Sequence, residues 1–379
     1  MSKVLLGDVA VEHKETCKGS KEGYPIVGLE HLIPEEITLT AWDEGSENTF
    51  SKMFRKGNVL FGRRRAYLKK AAVAPFDGIC SGDITVIEAK PDRILPELLP
   101  FIIQNDDLFD FAVGKSAGSL SPRVKWEHLK NYEFELPDME KQKELAELLW
   151  AMDNTKKSYQ KLLAATDELV KSQFMEQFGD PVTNTQGREV RPFKDFMLDI
   201  RYGTSQPPTF SEFGEFKFIR ATNIKAGRIT ENDMLRISAD EATKIEKCRL
   251  NGNEIIIVRS GANTGDTCVV TDEYCNQYAG YDIIITLNLE IANPVFFNEL
   301  MNTHYMQAII KPLTVRAAQP HINSEQVQNL PMLVVPLPEQ ERFAAFVRQS
   351  DKSKFAVQSC SNLNLSRCLR VFSEMSISR

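Results

Sequence analysis

No apolar run in the 379 residues approaches the about 18 to 20 that cross a bilayer, and the start, MSKVLLGDVAVEHKE, has neither the basic flank nor the cleavage site of a secretory leader. A cytoplasmic protein is expected. The seven cysteines are scattered singly, with no CxxC pair and no histidine at ligand spacing. That excludes a disulfide framework or zinc cluster and leaves reduced thiols. The five histidines are isolated, and there is no HExxH, no GxxxxGK phosphate loop and no glycine-rich loop for S-adenosylmethionine, so neither catalysis nor a metal is expected in this chain. A polybasic tail is also missing. The net charge of −6 argues against wholesale electrostatic binding to nucleic acid, although a local basic patch is compatible with it.

What is present is an ordinary globular composition, 42% hydrophobic and 26% charged, in a chain long enough for two or three domains. Two segments read as long helices. The first opens at Asp138, a good N-cap, and runs to Gly179 and Pro181, a helix stop. Along it Leu145, Leu148, Met152, Thr155, Tyr159, Leu162, Thr166 and Leu169 fall at alternating steps of three and four, a heptad seam that needs a partner helix. The second follows Pro336-Leu337-Pro338-Glu339-Gln340 and carries a patchier seam of Phe343, Phe346, Val357 and Cys360. About 40 helical residues extend about 60 Å, longer than a domain is wide.

Residues 96–174 laid over 294–372 pair Pro96 with Pro294, Gln142 with Gln340, Asp153 with Asp351 and Lys156 with Lys354. The order of features repeats with them, which reads as a tandem duplication: a globule over 1–137, a helix over 138–180, a globule over 181–337 and a helix over 338–379. Strand signals at 84–87, 254–258, 267–270 and 283–286, with helices expected over 97–111 and 294–310, make each globule α+β.

The sharpest basic cluster is Arg63-Arg64-Arg65 with Tyr67, Lys69 and Lys70, directly after a strand. Three adjacent arginines crowd like charge, a cost that a phosphate or a base edge removes. The corresponding place in the second globule reads Arg259-Ser260-Gly261-Ala262-Asn263-Thr264-Gly265, where the glycines permit close backbone approach and Arg259, Ser260, Asn263 and Thr264 suit groove contact. A solvated loop and a glycine-rich hairpin turn are the plain alternatives. Two further loops precede the long helices, one with Lys115, Ser119, Arg123 and Lys125, the other with Arg316, Gln319, His321 and Asn323. Arg201, Tyr202 and Thr204, and Arg220 near Asn223, are comparable DNA-binding candidates. Asp83 with Glu88 and Lys90 has only the composition of a nuclease site, and Asn293-Pro294-Val295-Phe296 reads as a helix start rather than a methyltransferase motif.

Two α+β globules, each followed by a long helix, resemble the specificity subunit of type I restriction-modification systems. The residues that carry the resemblance are Val335 to Ala344, where Val-Pro-Leu-Pro-Glu-Gln closely matches the family's apolar-Pro-x-Pro-x-Glu-Gln opening one residue shorter, and the weaker copy from Leu136 to Gln142. The turn Gly252-Asn253 and the run Ser260-Gly261 to Gly265 are similar to the family's recognition hairpin. The resemblance implies two tandem α+β target-recognition domains, each followed by a long α-helix, the two helices packing as an antiparallel coiled coil. It also implies that each domain reads one half of a bipartite, asymmetric double-stranded DNA site. The implied partners are modification (methyltransferase) subunits, two of them, and restriction subunits, and these would use S-adenosylmethionine, ATP and magnesium. A non-DNA coiled-coil scaffold, or the recognition part of a self-contained restriction enzyme, are the competing readings.

Overall fold

Four short strands with few polar residues frame the first unit. In the computed structural model, which describes residues 2–45, 49–118, 120–180, 183–184, 186–314 and 320–354, they lie in the order Ala10–Glu12, Ile84–Ala89, Val59–Gly62 and Ala71–Val73, antiparallel throughout. Successive side chains point to opposite faces. Val59 and Phe61 pack with the helices Leu99–Ile103 and Asp106–Gly114, while Leu60 and Val86 pack with Val27, Leu32 and Phe54. Both faces are covered, so the strands read as continuous apolar runs.

The second unit repeats the sheet with Met197–Tyr202, Ile283–Leu287, Ile255–Ile257 and Thr267–Val269, again antiparallel. Ile255, Ile257, Ile283 and Ile285 join Phe296 and Phe297 on one face, and Ile256, Val258 and Ile284 join Ile219 and Leu250 on the other. Before each long helix a strand returns to pair near the start of its unit: Glu133–Leu136 with Ser2–Leu5, and Pro331–Leu333 with Val190–Pro192. Compact packing divides between Gln160 and Lys161, within the first long helix.

The single helices expected over 97–111 and 294–310 are each broken in two, as Leu99–Ile103 with Asp106–Gly114 and as Pro294–Asn302 with His304–Thr314. Short polar side chains cause both breaks by capping a fresh start: the Asp107 amide donates to Asn105 and the Met306 amide to Thr303.

The first long helix spans Met139–Phe178. The Lys141 amide donates to Asp138 Oδ1 at 3.0 Å, and Gly179, at φ 76°, ends the helix in the left-handed region. The second is described over 337–354. Gln142 and Gln340 play the same part at the two starts. Gln142 Oε1 accepts the Leu95 amide at 2.8 Å and its Nε2 donates to Pro137 O at 2.8 Å. Gln340 Oε1 accepts the Asn293 amide at 2.8 Å and its Nε2 donates to Val335 O at 2.7 Å. Each buried amide bolts helix to globule through backbone groups that correspond in the repeat.

In the first long helix the expected heptad seam is not the buried stripe. Leu148, Leu162 and Leu169 are 48%, 50% and 49% exposed, and Leu145, Met152 and Tyr159 are half-buried. Burial instead falls on Ala146 and Leu149, in the first unit's core, and on Val170, Phe174 and Phe178, in the second's. A straight helix turns about 20° per heptad away from a 3.5-residue repeat, and this helix serves a different core at each end. Phe343 packs on Phe174 and Phe178 with ring centres 5.4 and 5.5 Å apart, Phe346 lies beside the same core, and Lys354 pairs with Asp167. The two helices are therefore antiparallel over this stretch. Val357 and Cys360 lie outside the described residues.

Candidate nucleic-acid interface

In both units the central strand of the sheet runs into the loop singled out from sequence, and a second loop is stitched beside it by the same backbone bonds. The Val124 amide donates to Arg63 O at 3.0 Å, and the Ile322 amide donates to Arg259 O at 3.0 Å. A β-bridge joins Arg64 to Arg123 in one unit and Ser260 to His321 in the other. The two places are equivalent in fold and different in chemistry.

In the first unit Asp83 organises the arginines. Arg123 meets it through two bonds, Nε to Oδ1 at 2.7 Å and Nη2 to Oδ2 at 3.1 Å, and Arg64 Nη1 lies 3.5 Å away. The Arg123 guanidinium holds the Asp83 carboxyl below the usual range against the opposing effect of burial. Arg64 Nη2 donates to Ser121 Oγ at 3.0 Å, while the Nε atoms of Arg63 and Arg64 are buried without an acceptor among the described residues. Arg65 is exposed at φ 54° with its amide on Pro122 O, 2.8 Å away. Tyr67, 55% exposed, stands beside it. Lys69 pairs with Asp106, which raises its pKa, and Lys70 Nζ donates to Leu29 O at 2.7 Å. Lys115 lies over the Phe111 ring and Lys125 is exposed. Ser119 lies outside the described residues.

In the second unit the guanidinium carbon of Arg259 sits 4.3 Å from the ring centre of Tyr202 and 4.3 Å from that of Tyr281. Its Nε donates to His321 Nε2 at 3.4 Å, and His321 Nδ1 lies 2.9 Å from Ser260 Oγ. Because Nε2 accepts, the ring proton sits on Nδ1 and points to Ser260. The Tyr202 hydroxyl donates to Ser324 Oγ and accepts the Ser324 amide, both at 2.9 Å. Thr264 turns back on Gly261 O at 2.6 Å, Asn263 donates to Ala221 O at 3.3 Å, and Asn323 caps the helix Ser324–Gln328. Gly203 is required next to Tyr202, since a Cβ there would stand 1.7 Å from Gly280 O. Arg316 and Gln319 lie outside the described residues.

Three candidates are engaged with their own framework. Arg201 binds Glu254 with two bonds, 2.7 and 2.8 Å, and donates to Arg249 O at 2.9 Å. It belongs to the framework and presents no free edge. Arg220 Nη2 donates to Asp233 O at 2.6 Å, and Thr204 Oγ1 donates to Gln206 O at 2.8 Å, closing its own turn. Sequence reasoning missed Tyr281, which lies 79 positions after Tyr202 and has no motif to mark it. The nuclease-like trio disperses: Asp83 holds arginines, Glu88 meets His13, and Lys90 donates to Gly7 O. Asn293 caps its helix. Glu30, His31 and Asp43 lie within metal-holding distance, but His31 Nδ1 accepts the Gly28 amide at 2.9 Å, which turns the ring proton at Nε2 toward Asp43. That leaves no ring lone pair for an ion.

A family profile described as the type I restriction modification DNA specificity domain matches residues 4–165 and 190–363. The chain belongs to this family. It carries two specificity domains in tandem, and the specificity component is known as the non-catalytic recognition part of such systems. The chain is 27% identical over 179 residues to the specificity subunit of the type I restriction enzyme EcoDI from Escherichia coli, an alignment covering 46% of this chain and 36% of that one. The specificity subunit of a type I restriction-modification system from M. genitalium superposes with a TM-score of 0.61 at 10% identity, covering 100% of this chain and 96% of that one. A chain from a structure on assembly and conformational transition of a type I system superposes at 0.52 with 20% identity, covering 99% and 96%. These two share the fold. No helix among the described residues is long and apolar enough to cross a membrane.

Proposed function

We propose that this chain gives a type I restriction-modification complex its DNA address, each specificity domain reading one half of a bipartite, asymmetric site. One observation carries the reading: the same loop pair, held by corresponding backbone bonds, bears an arginine cluster in one unit and an arginine set in tyrosine, serine and histidine in the other. A scaffold has no use for such a contrast, whereas two different half-sites require it. Modification and restriction subunits would dock on the chain and bring the chemistry, using S-adenosylmethionine, ATP and magnesium. With a net charge of −6 the isolated chain binds its site weakly and with a shallow salt dependence, basic surfaces on the partners completing the grip.

The test is to express the chain with its modification subunit in a methylation-free host and map methylated bases genome-wide. A two-part motif with a fixed gap, present only with this chain, is the expected result. A complex that forms and folds yet yields no chain-dependent motif overturns the reading.

A further inference from the structure

Arg259 is immobilised to a degree that no other described cation of either loop matches. Tyr202 and Tyr281 both lie against its guanidinium, each ring centre 4.3 Å from the central carbon. Its Nε edge is taken by His321, and its backbone amide donates to the buried Asp282 carboxylate at 3.1 Å. Tyr202 is fixed in turn by two bonds to Ser324, so the sandwich cannot open by a simple ring rotation. Two aromatic rings and one histidine nitrogen thus hold the group. The remaining edge is the fork of Nη1 and Nη2, for which no acceptor is present among the described residues.

A fixed planar fork matches an acceptor pair lying in one plane. Guanine offers such a pair in the major groove through O6 and N7, and a bidentate arginine is the commonest contact that specifies it. A phosphate also accepts two bonds, but phosphate sites gather several cations and tolerate a mobile one. The described side chains against Arg259 and its histidine partner are Tyr202, Tyr281, Ser260 and His321. Among the described residues, cations cluster in the first unit, with Arg63, Arg64 and Arg123 around a single Asp83. The contrast separates a phosphate-gripping loop from a base-reading one.

We infer that Arg259 reads a guanine through O6 and N7 in the half-site of the second unit. The inference rests on the proposed reading of a bipartite site and names one base in it.

The test uses the whole complex in the methylation-free host, comparing wild type with Arg259→Gln, Arg259→Lys and Tyr281→Leu. The wild-type motif is expected to contain a guanine that Arg259→Gln relaxes or shifts toward adenine, with roughly a ten- to hundredfold loss of preference at that position alone. The other half-site and the gap stay unchanged. Tyr281→Leu, which frees one face of the guanidinium, relaxes the same position less, and Arg259→Lys keeps part of the preference. Should Arg259→Gln fail to fold, Tyr281→Leu and Arg259→Lys read the same position. An unchanged motif, or an even fall in methylation at all sites with a salt slope about one unit shallower, makes Arg259 a bystander or a phosphate contact and overturns the inference, while the bipartite reading stands. A wild-type motif with no guanine in the half that responds overturns it too. The absence of any wild-type motif removes the proposed function itself and is seen before any variant is compared.

Discussion

Replacing Arg201 by Ala separates framework from reader more sharply than any other single change. Glu254 is 2% exposed and accepts two bonds from Arg201, one from the Asn251 amide at 2.8 Å, one from Asn251 Nδ2 at 3.2 Å and one from Thr286 Oγ1 at 2.9 Å. Burial alone would push its pKa up, but the bond to Arg201, helped by Asn251, outweighs burial and holds it below the ordinary value. Taking away one partner of a buried pair costs about 3 to 5 kcal/mol because the other charge stays buried. Three neutral donors remain to Glu254, which places Arg201→Ala near about 3 kcal/mol, or about 6 to 12 °C of melting temperature for a unit of this size. Trp42, Trp126 and Trp150 are the only tryptophans and all lie before residue 161, so their fluorescence reports the first unit while far-ultraviolet circular dichroism reports both. In urea the dichroism transition should begin earlier and the fluorescence transition stay in place. The deficit should also shrink as the pH falls from 7 to 5, because an unpaired buried Glu254 regains stability on protonation, the reverse of its depressed state in the wild type. The double change Arg201→Met with Glu254→Leu should restore stability to within about 1 kcal/mol. If Arg201→Ala unfolds as the wild type does and alters only one half-site, Arg201 is a reader and the argument fails.

Gln340→Ala should cost about 2 to 4 kcal/mol, since it leaves the Asn293 amide and the Val335 carbonyl without partners inside the second unit, and Gln142→Ala should do the same in the first; equal urea midpoints in variant and wild type would contradict this. Gly203→Ala forces a Cβ against Gly280 O and should disturb Tyr202, costing about 1 to 3 kcal/mol and altering only the second half-site in methylation maps. Asp282 is pushed up to about 6 from 3.8 by burial, against the Arg259 amide bond, and Glu299 up to about 7 by burial. An acid whose pKa is raised on folding loses stability as pH rises from its ordinary value through the folded one, so the second unit should melt lower at pH 8 than at pH 5. Asp282→Asn should flatten that slope by up to about 1.5 kcal/mol between pH 5 and 8, and a slope unchanged in the variant would refute the assignment.

The long helix was legible because its limits are local: Asp138 caps it, Gly179 stops it, and nothing between them objects. The duplication was legible in Gln142 and Gln340 because each must meet backbone groups at the same distances along the chain, which fixes both residue type and spacing. The seam misled for a physical reason. A heptad pattern records apolar spacing but not how many partners a helix has, and Met139–Phe178 gives Ala146 and Leu149 to one core and Phe174 and Phe178 to another. Asn105 and Thr303 broke the expected helices because a polar side chain can cap a new start as readily as it can sit inside an old helix. At the candidate site the loops were visible as clusters of hydrogen-bonding residues, but their partners were not. Arg201 looked like a surface cation because Glu254 lies 53 positions on, and Tyr281 carried no signal at all.

The bonds that hold the loops and the side chains the loops display are different atoms, and this has a consequence for how such a chain can change. The Val124–Arg63 and Ile322–Arg259 contacts use backbone only, so the stitch itself makes no demand on the side chains at 63 and 259, whose carbonyls accept. The glutamine bolts lie at the helix starts, away from both loops. Substitutions at Arg64, Ser260 or Arg259 therefore alter what is presented while the backbone stitch stays in place. Arg201 and Glu254 show the opposite case, a side-chain pair inside the sheet whose loss costs the fold. The two units thus agree in how the loops are held and differ in what the loops display, which is the contrast the proposed two half-sites need.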